Sequence, residues 1–253
     1  MDHPLSCFFG GAVKQTGKTG TNKPDQLSLH FPQVQCTFGD LITTPANETA
    51  FRVAKTPEQW PQPVICIAGP VACGLTSLAR AWAGEFSATF LDAKSLARLK
   101  RQAISNLAAG YIAIDDADAT RSPEALLTLL NSVPDAGGRL LLTSHLAPGS
   151  WHTSSPDLKS RLNSLSLVEI HPPDEAMVRG RLMKRAGDYF LRLEEDLVKY
   201  LVPRLELSYE AVEAFVERLS DAVTLTGRAP SVPMAKDILD STGATGSGSR
   251  SDN

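Results

Sequence analysis

The sequence predicts an α/β domain, a parallel five-stranded sheet between helices, followed by a small all-helical domain. Three observations lead there. Short apolar runs alternate with segments of helical character, the pattern of a parallel sheet covered on both faces. A glycine-bounded loop follows the first of those runs. After Pro172-Pro173 the strand-like runs stop, and only helical spacing remains.

In chain order, Pro63 to Ala68 is an apolar run followed by glycines, as expected of a buried strand. Leu78 to Phe86 has helical character, and Ala88 to Asp92 is a brief strand candidate. Gly110 to Asp116 is apolar and ends in two acids. Pro123 to Val133 is helical with proline in its first turn. Arg139 to Ser144 and Ser166 to Ile170 complete the strands. Beyond Pro173, Asp174 to Ala186, Glu194 to Leu205 and Tyr209 to Leu225 place apolar residues at helical spacing, and a shorter helix follows around Pro233 to Leu239. The chain thus divides into a tail over 1–34, an α/β domain over 35–172, a helical domain over 173–240 and a Gly/Ser/Thr-rich tail over 241–253, with no internal repeat.

The bulk composition narrows the function classes. With 253 residues, 42% of them hydrophobic, the chain can bury a sizeable core. Its net charge of -3 stands against a dedicated nucleic-acid binder. Cys7, Cys36, Cys66 and Cys73 show no CxxC spacing and read as reduced thiols. No apolar run approaches the roughly 20 residues that span a bilayer. The N-terminus, with Asp2 and a short apolar patch at Phe8-Phe9, is a poor secretory signal. The expected location is the cytoplasm.

The chemistry is concentrated in Gly69-Pro70-Val71-Ala72-Cys73-Gly74-Leu75-Thr76. A glycine loop between a strand and a helix N-terminus is an anion site, because backbone N–H groups and the helix dipole converge there. Gly69 and Gly74 have P-loop spacing. Gly69, Pro70, Ala72, Cys73, Gly74, Leu75, Thr76 and Ser77 are the candidate nucleotide contacts. Thr76 stands where a hydroxyl would ligate Mg²⁺, and Asp115, with Asp116 beside it, is the natural partner of that metal. The competing reading is a tight strand-to-helix turn without ligand. Leu75 occupies the lysine position, so the cation that neutralises β/γ-phosphate charge is missing. Backbone amides would still hold a diphosphate such as ADP, with Mg²⁺. ATP binding is doubtful and efficient hydrolysis is not expected. A second G-K-T, Gly17-Lys18-Thr19, has its first glycine displaced to Gly11 and lacks both the preceding strand and the following apolar helix. It is rejected.

Taken together, Ile67-Ala68-Gly69-Pro70, Ile112-Ala113-Ile114-Asp115-Asp116, Leu140-Leu141-Leu142-Thr143-Ser144, Leu158-Lys159-Ser160-Arg161-Leu162 and Val168-Glu169-Ile170-His171-Pro172-Pro173 form an ordered set. In this set the chain, from about Phe38 to Leu239, resembles the DnaA-related initiators of the AAA+ superfamily, most closely the shorter Hda-type regulators. The resemblance implies an AAA+ P-loop domain with a helical lid. It also implies that Arg161 is an arginine finger directed at nucleotide held by a neighbouring subunit, an effect of about 10³–10⁵ in rate in GTPase systems. The alternative for Arg161 is a surface ion pair with Asp157, worth about 0–1 kcal/mol. Two further departures accompany Leu75. Glu210 stands where the initiators carry a nucleotide-sensing arginine, and His145 where they carry an acid. Arg228 is a weak candidate for a substitute cation.

Gln26-Leu27-Ser28-Leu29-His30-Phe31 resembles the peptide that docks bacterial proteins on the DNA sliding clamp. Leu27, Leu29 and Phe31 would fill an apolar groove, Gln26 would offer its amide, and Ser28 lies between them. The alternative is an amphipathic strand packed on the chain's own core. The chain stops after the lid region, so the initiator's helix-turn-helix domain is not expected and DNA would be reached through the clamp.

The expected function is negative regulation of replication initiation. The chain docks on the DNA-loaded clamp, the β subunit of DNA polymerase III, and Arg161 stimulates hydrolysis of ATP bound to DnaA. It would then activate another protein's ATPase rather than be an efficient ATPase itself. The alternatives are a non-catalytic AAA+-like adaptor for clamp or initiator, and a self-contained P-loop ATPase of helicase-loader type.

Overall fold

The computed structural model of the protein describes residues 36–245. The clamp-type hexapeptide and the rejected G-K-T lie outside them. The described chain runs through α1 (Glu48–Lys55), β1 (Val64–Ala68), α2 (Leu75–Glu85), β2 (Thr89–Asp92), α3 (Ala93–Leu96), α4 (Arg101–Leu107), β3 (Tyr111–Asp115) and α5 (Pro123–Ala136). It continues through β4 (Arg139–Ser144), α6 (Pro156–Asn163), β5 (Ser166–Glu169), α7 (Glu175–Asp188), α8 (Glu195–Leu201), α9 (Tyr209–Thr226) and α10 (Val232–Thr245).

The five strands form one parallel sheet in the order β2-β3-β4-β1-β5. This is the expected five-stranded α/β architecture. All five residues of β1 are buried, as a central strand covered on both faces requires. Side chains alternate across it. Val64 and Cys66 join the apolar cluster built with α4, α5 and α6, whereas Ile65 and Ile67 join the cluster built with α1 and α2. A third cluster, from α7 to α10, is the core of the helical lid. Met177 of α7 and Tyr209 of α9 pack instead into the α1/α2 side of the sheet domain. The Tyr209 hydroxyl also donates to the His171 carbonyl at 3.1 Å, which fastens the lid to the segment that leads into it.

Four helices go beyond the sequence expectation. α1, α3, α4 and α6 contain 8, 4, 7 and 8 residues, too few for an apolar period to stand out. α10 continues through Thr245, past the expected domain edge at 240. Among the described residues, no helix is long and apolar enough to cross a membrane.

Candidate functional site

Strand order places the candidate chemistry. β4 lies between β3 and β1, so the segments leaving the carboxyl ends of all three strands meet at one edge of the sheet, where ligands bind in open α/β folds. The loop after β1 carries Gly69 to Gly74, β3 ends in Asp115, and His145 follows β4.

Gly69 is required by packing. A β-carbon there would sit 2.8 Å from Cys73 Sγ and 2.9 Å from Ile170 Cβ. Gly74 is required by conformation, with φ at +102°, and a β-carbon on it would meet no atom within 4 Å. The loop is therefore tight beneath and open above. Ala72 also takes a positive φ, 61°, which a non-glycine residue adopts at a cost of order 1–3 kcal/mol. The Cys73 N–H bonds the Pro70 carbonyl at 3.2 Å, so this amide is turned inward. Burial pushes the Cys73 thiol up to about 11 and that of Cys66 to about 12, which keeps both neutral and weakly reactive.

Leu75 is 3% exposed and belongs to the α1/α2 apolar cluster. Thr76 is exposed on the first turn of α2. Asp115 is buried, and its Oδ1 accepts the Thr143 hydroxyl at 2.6 Å. Asp116 sits at φ 51° with its side chain half exposed. Burial, and then the Asp115 charge, push its carboxyl above the ordinary range, with His145 pulling the other way. His145 spans the edge. Its Nδ1 is 3.1 Å from the Gly69 carbonyl and its Nε2 3.7 Å from Asp116 Oδ1. Among the described residues, no group of three His, Cys, Asp or Glu side chains is placed to hold a metal ion.

A cleft of about 520 Å³ opens beside the loop, within the usual size of small-molecule sites. Ala72, Cys73, Gly74 and Ser77 line it from the loop and α2, and Leu41, Ile42 and Phe51 supply apolar wall. Of the candidate contacts, Gly69, Pro70, Leu75, Thr76, Asp115 and Asp116 are not among its lining residues. The lid contributes Met177, Arg181, Lys184, Arg185 and Asp188 of α7 and Glu213 and Glu217 of α9. Sequence reading missed all seven. The signal was present, because positions 181, 184 and 185 share one helical face, but only the fold shows what that face meets.

Glu210 is not among the cleft's lining residues; its carboxylate accepts from the Ser208 hydroxyl at 3.3 Å at the start of α9. One expectation about the lid needs correction. Arg228 lines a separate groove with residues of α9 and α10, so it is no substitute cation for the loop. Arg181 does reach the loop, where its Nη1 donates to the Ala72 carbonyl.

An open loop, a flanking apolar wall and Arg181 leave space suited to a nucleoside diphosphate. Leu75, the inward Cys73 amide and the acids Asp40, Asp188, Glu213 and Glu217 on the cleft wall weaken that fit without blocking the space. Arg161 lies elsewhere, exposed on α6, beside a depression of about 410 Å³ shared with Leu127, Asn131 and Asp157. Among the described residues, no carboxylate comes within 4.0 Å of its guanidinium, so the ion pair with Asp157 is not made.

No family model matches the chain. The chromosomal replication initiator protein DnaA of Methylobacillus flagellatus is 23% identical over 227 residues, covering 80% of this chain and 48% of that protein. The chain thus spans about half the length of that relative. Among solved structures, domain III of the Thermotoga maritima replication initiation protein DnaA matches with a TM-score of 0.67 and 18% identity, over 82% of this chain and 97% of that one. A replication initiator DnaA bound to AMPPCP and single-stranded DNA matches with a TM-score of 0.62 and 18% identity, over 84% and 69% of the two chains. Together with the strand order, the loop after the central strand and the helical lid, these likenesses show that the chain has the AAA+ fold in the form taken by domain III of DnaA.

Proposed function

We propose that this protein regulates replication initiation negatively, by presenting Arg161 to ATP held in a DnaA-type subunit and promoting its hydrolysis. The observation that carries the proposal is an asymmetry of charge. The chain's own phosphate loop has lost its lysine to a buried leucine, while Arg161 stands exposed on α6 without a carboxylate partner among the described residues. An arginine in that condition is free to neutralise charge that develops on another subunit's phosphoryl group.

The chain's own cleft then has a holding role, for ADP, with Mg²⁺ reaching Thr76 and Asp115 only when nucleotide is bound. Gln26, Leu27, Ser28, Leu29 and Phe31 dock the chain on the sliding clamp. The fold likeness to DnaA domain III supports a DnaA-type partner.

The test is hydrolysis of DnaA-bound ATP with this protein, the clamp and DNA. Arg161→Ala is expected to return the rate to that of DnaA alone while clamp binding stays unchanged. Equal stimulation by the variant would leave an adaptor that docks without a finger.

A further inference from the structure

Leu75 removes a cation from the phosphate loop, and the lid places another beside it. We propose that Arg181 of α7 is the phosphate-binding cation of this cleft, so that diphosphate recognition depends on the lid instead of on the first turn of α2. The proposal rests on reading the cleft as a nucleotide site.

Arg181 is fixed from three sides. Its Nη1 donates to the Ala72 carbonyl within the phosphate loop. The guanidinium carbon lies 4.9 Å from the centroid of the buried Tyr209 ring, a cation–π distance. Its Nη2 is 3.7 Å from Glu213 Oε1, too long for a hydrogen bond but close enough to partly neutralise the charge. The helix can come this near because residue 180 is glycine. A β-carbon there would lie 3.1 Å from Ile42 Cγ2.

The other two cleft cations are committed elsewhere. The Lys184 ammonium donates to the Asp40 carbonyl. Arg185 is held by Glu213 at 2.7 Å, Asp188 at 3.4 Å and Glu217 at 3.9 Å, and lies over the Tyr189 ring at 5.0 Å. A guanidinium has five N–H donors, and the Ala72 carbonyl takes one of those on Arg181. The remaining donors form a planar fork suited to phosphate oxygens. It stands at the loop whose Gly74 opens onto free space.

The role predicts a split that simple lid packing does not. ADP and adenosine share base and sugar and differ in the diphosphate. In titrations of the full chain, Arg181→Met is expected to weaken ADP at least tenfold and leave adenosine within twofold. Arg181→Lys should recover part of the loss, since it keeps charge without the fork. Glu213→Gln withdraws a competing carboxylate and should tighten ADP severalfold with adenosine unchanged; this variant keeps Arg181 and serves if Arg181→Met does not fold. Equal weakening of both ligands by Arg181→Met, or weaker ADP binding by Glu213→Gln, would make Arg181 a packing residue. Binding of neither ligand by the wild type would overturn the nucleotide reading of the cleft along with this proposal, while Arg161-dependent stimulation would still stand.

Discussion

At residue scale, position 75 separates this loop from an ordinary P-loop, and the structure shows why the change is not a simple vacancy. Leu75 is buried in the apolar cluster that α1 and α2 form over the sheet. Full burial of a leucine stabilises by about 1.5–3 kcal/mol. A lysine there must bring its ammonium into that cluster or reach out past it on a long stem. Leu75→Lys should therefore lower unfolding free energy by about 2 kcal/mol, whereas Leu75→Met, which conserves volume, should cost less than about 1.5. ATP turnover should not appear with the lysine, because the Cys73 amide is bonded to Pro70 and Asp115 is shared with Thr143. Urea unfolding and phosphate release measure the two effects. A Leu75→Lys protein as stable as the wild type and turning over ATP would mean that lysine was all the loop lacked.

At element scale, α6 is the platform for Arg161, and its start is well defined. The Ser155 hydroxyl accepts from the Leu158 N–H at 3.3 Å and Pro156 takes the first helical position, both favourable at a helix N-terminus. Leu158 and Leu162 are buried at i and i+4, and Arg161, at the flank of that buried stripe, is exposed. Ser155→Ala should cost about 1 kcal/mol, a fall in Tm of about 2–4 °C for a chain of this size. It should also reduce stimulation of the partner's ATPase more than clamp binding, and Ser155→Asp should restore both Tm and stimulation; a fall in Tm with stimulation intact would mean that the finger does not depend on the order of this turn. The same region shows what sequence made legible. The strand after α6, the glycine loop and the acids that end β3 were readable from local pattern, whereas α6 itself entered only through the family resemblance of its Leu158 to Leu162 segment. The failed Asp157 pairing was not readable, because helical spacing allows an ion pair without deciding which rotamers are occupied. Nor was the lid side of the cleft. Arg181 meets Ala72 only through the packing of α7 on the loop, a contact between residues far apart in sequence.

At the scale of the whole molecule, the proposed clamp peptide makes recruitment to DNA indirect, a proposal in keeping with the net charge of -3. A protein that itself makes 6–10 phosphate contacts loses about 10³–10⁵ in affinity between 50 and 200 mM salt. Recruitment through a clamp already closed around DNA should change far less over that range, since apolar anchors rather than counterion release carry it. Tethering then turns the encounter with the initiator into a local one, at an effective concentration of about millimolar for a short flexible link. Replacing Gln26 and Leu29 together by alanine should abolish capture by the clamp and, with it, most stimulation on clamp-loaded DNA. Because the anchors would bind a partner instead of this chain's own core, Tm should not fall. Clamp pull-down, thermal melting and the salt series give three separate readouts. Loss of clamp binding with a lower Tm would mean that Leu29 packs on the fold itself, as an amphipathic strand would. Unchanged clamp binding would remove the tether, and the proposed regulator would then have to find its partner by diffusion.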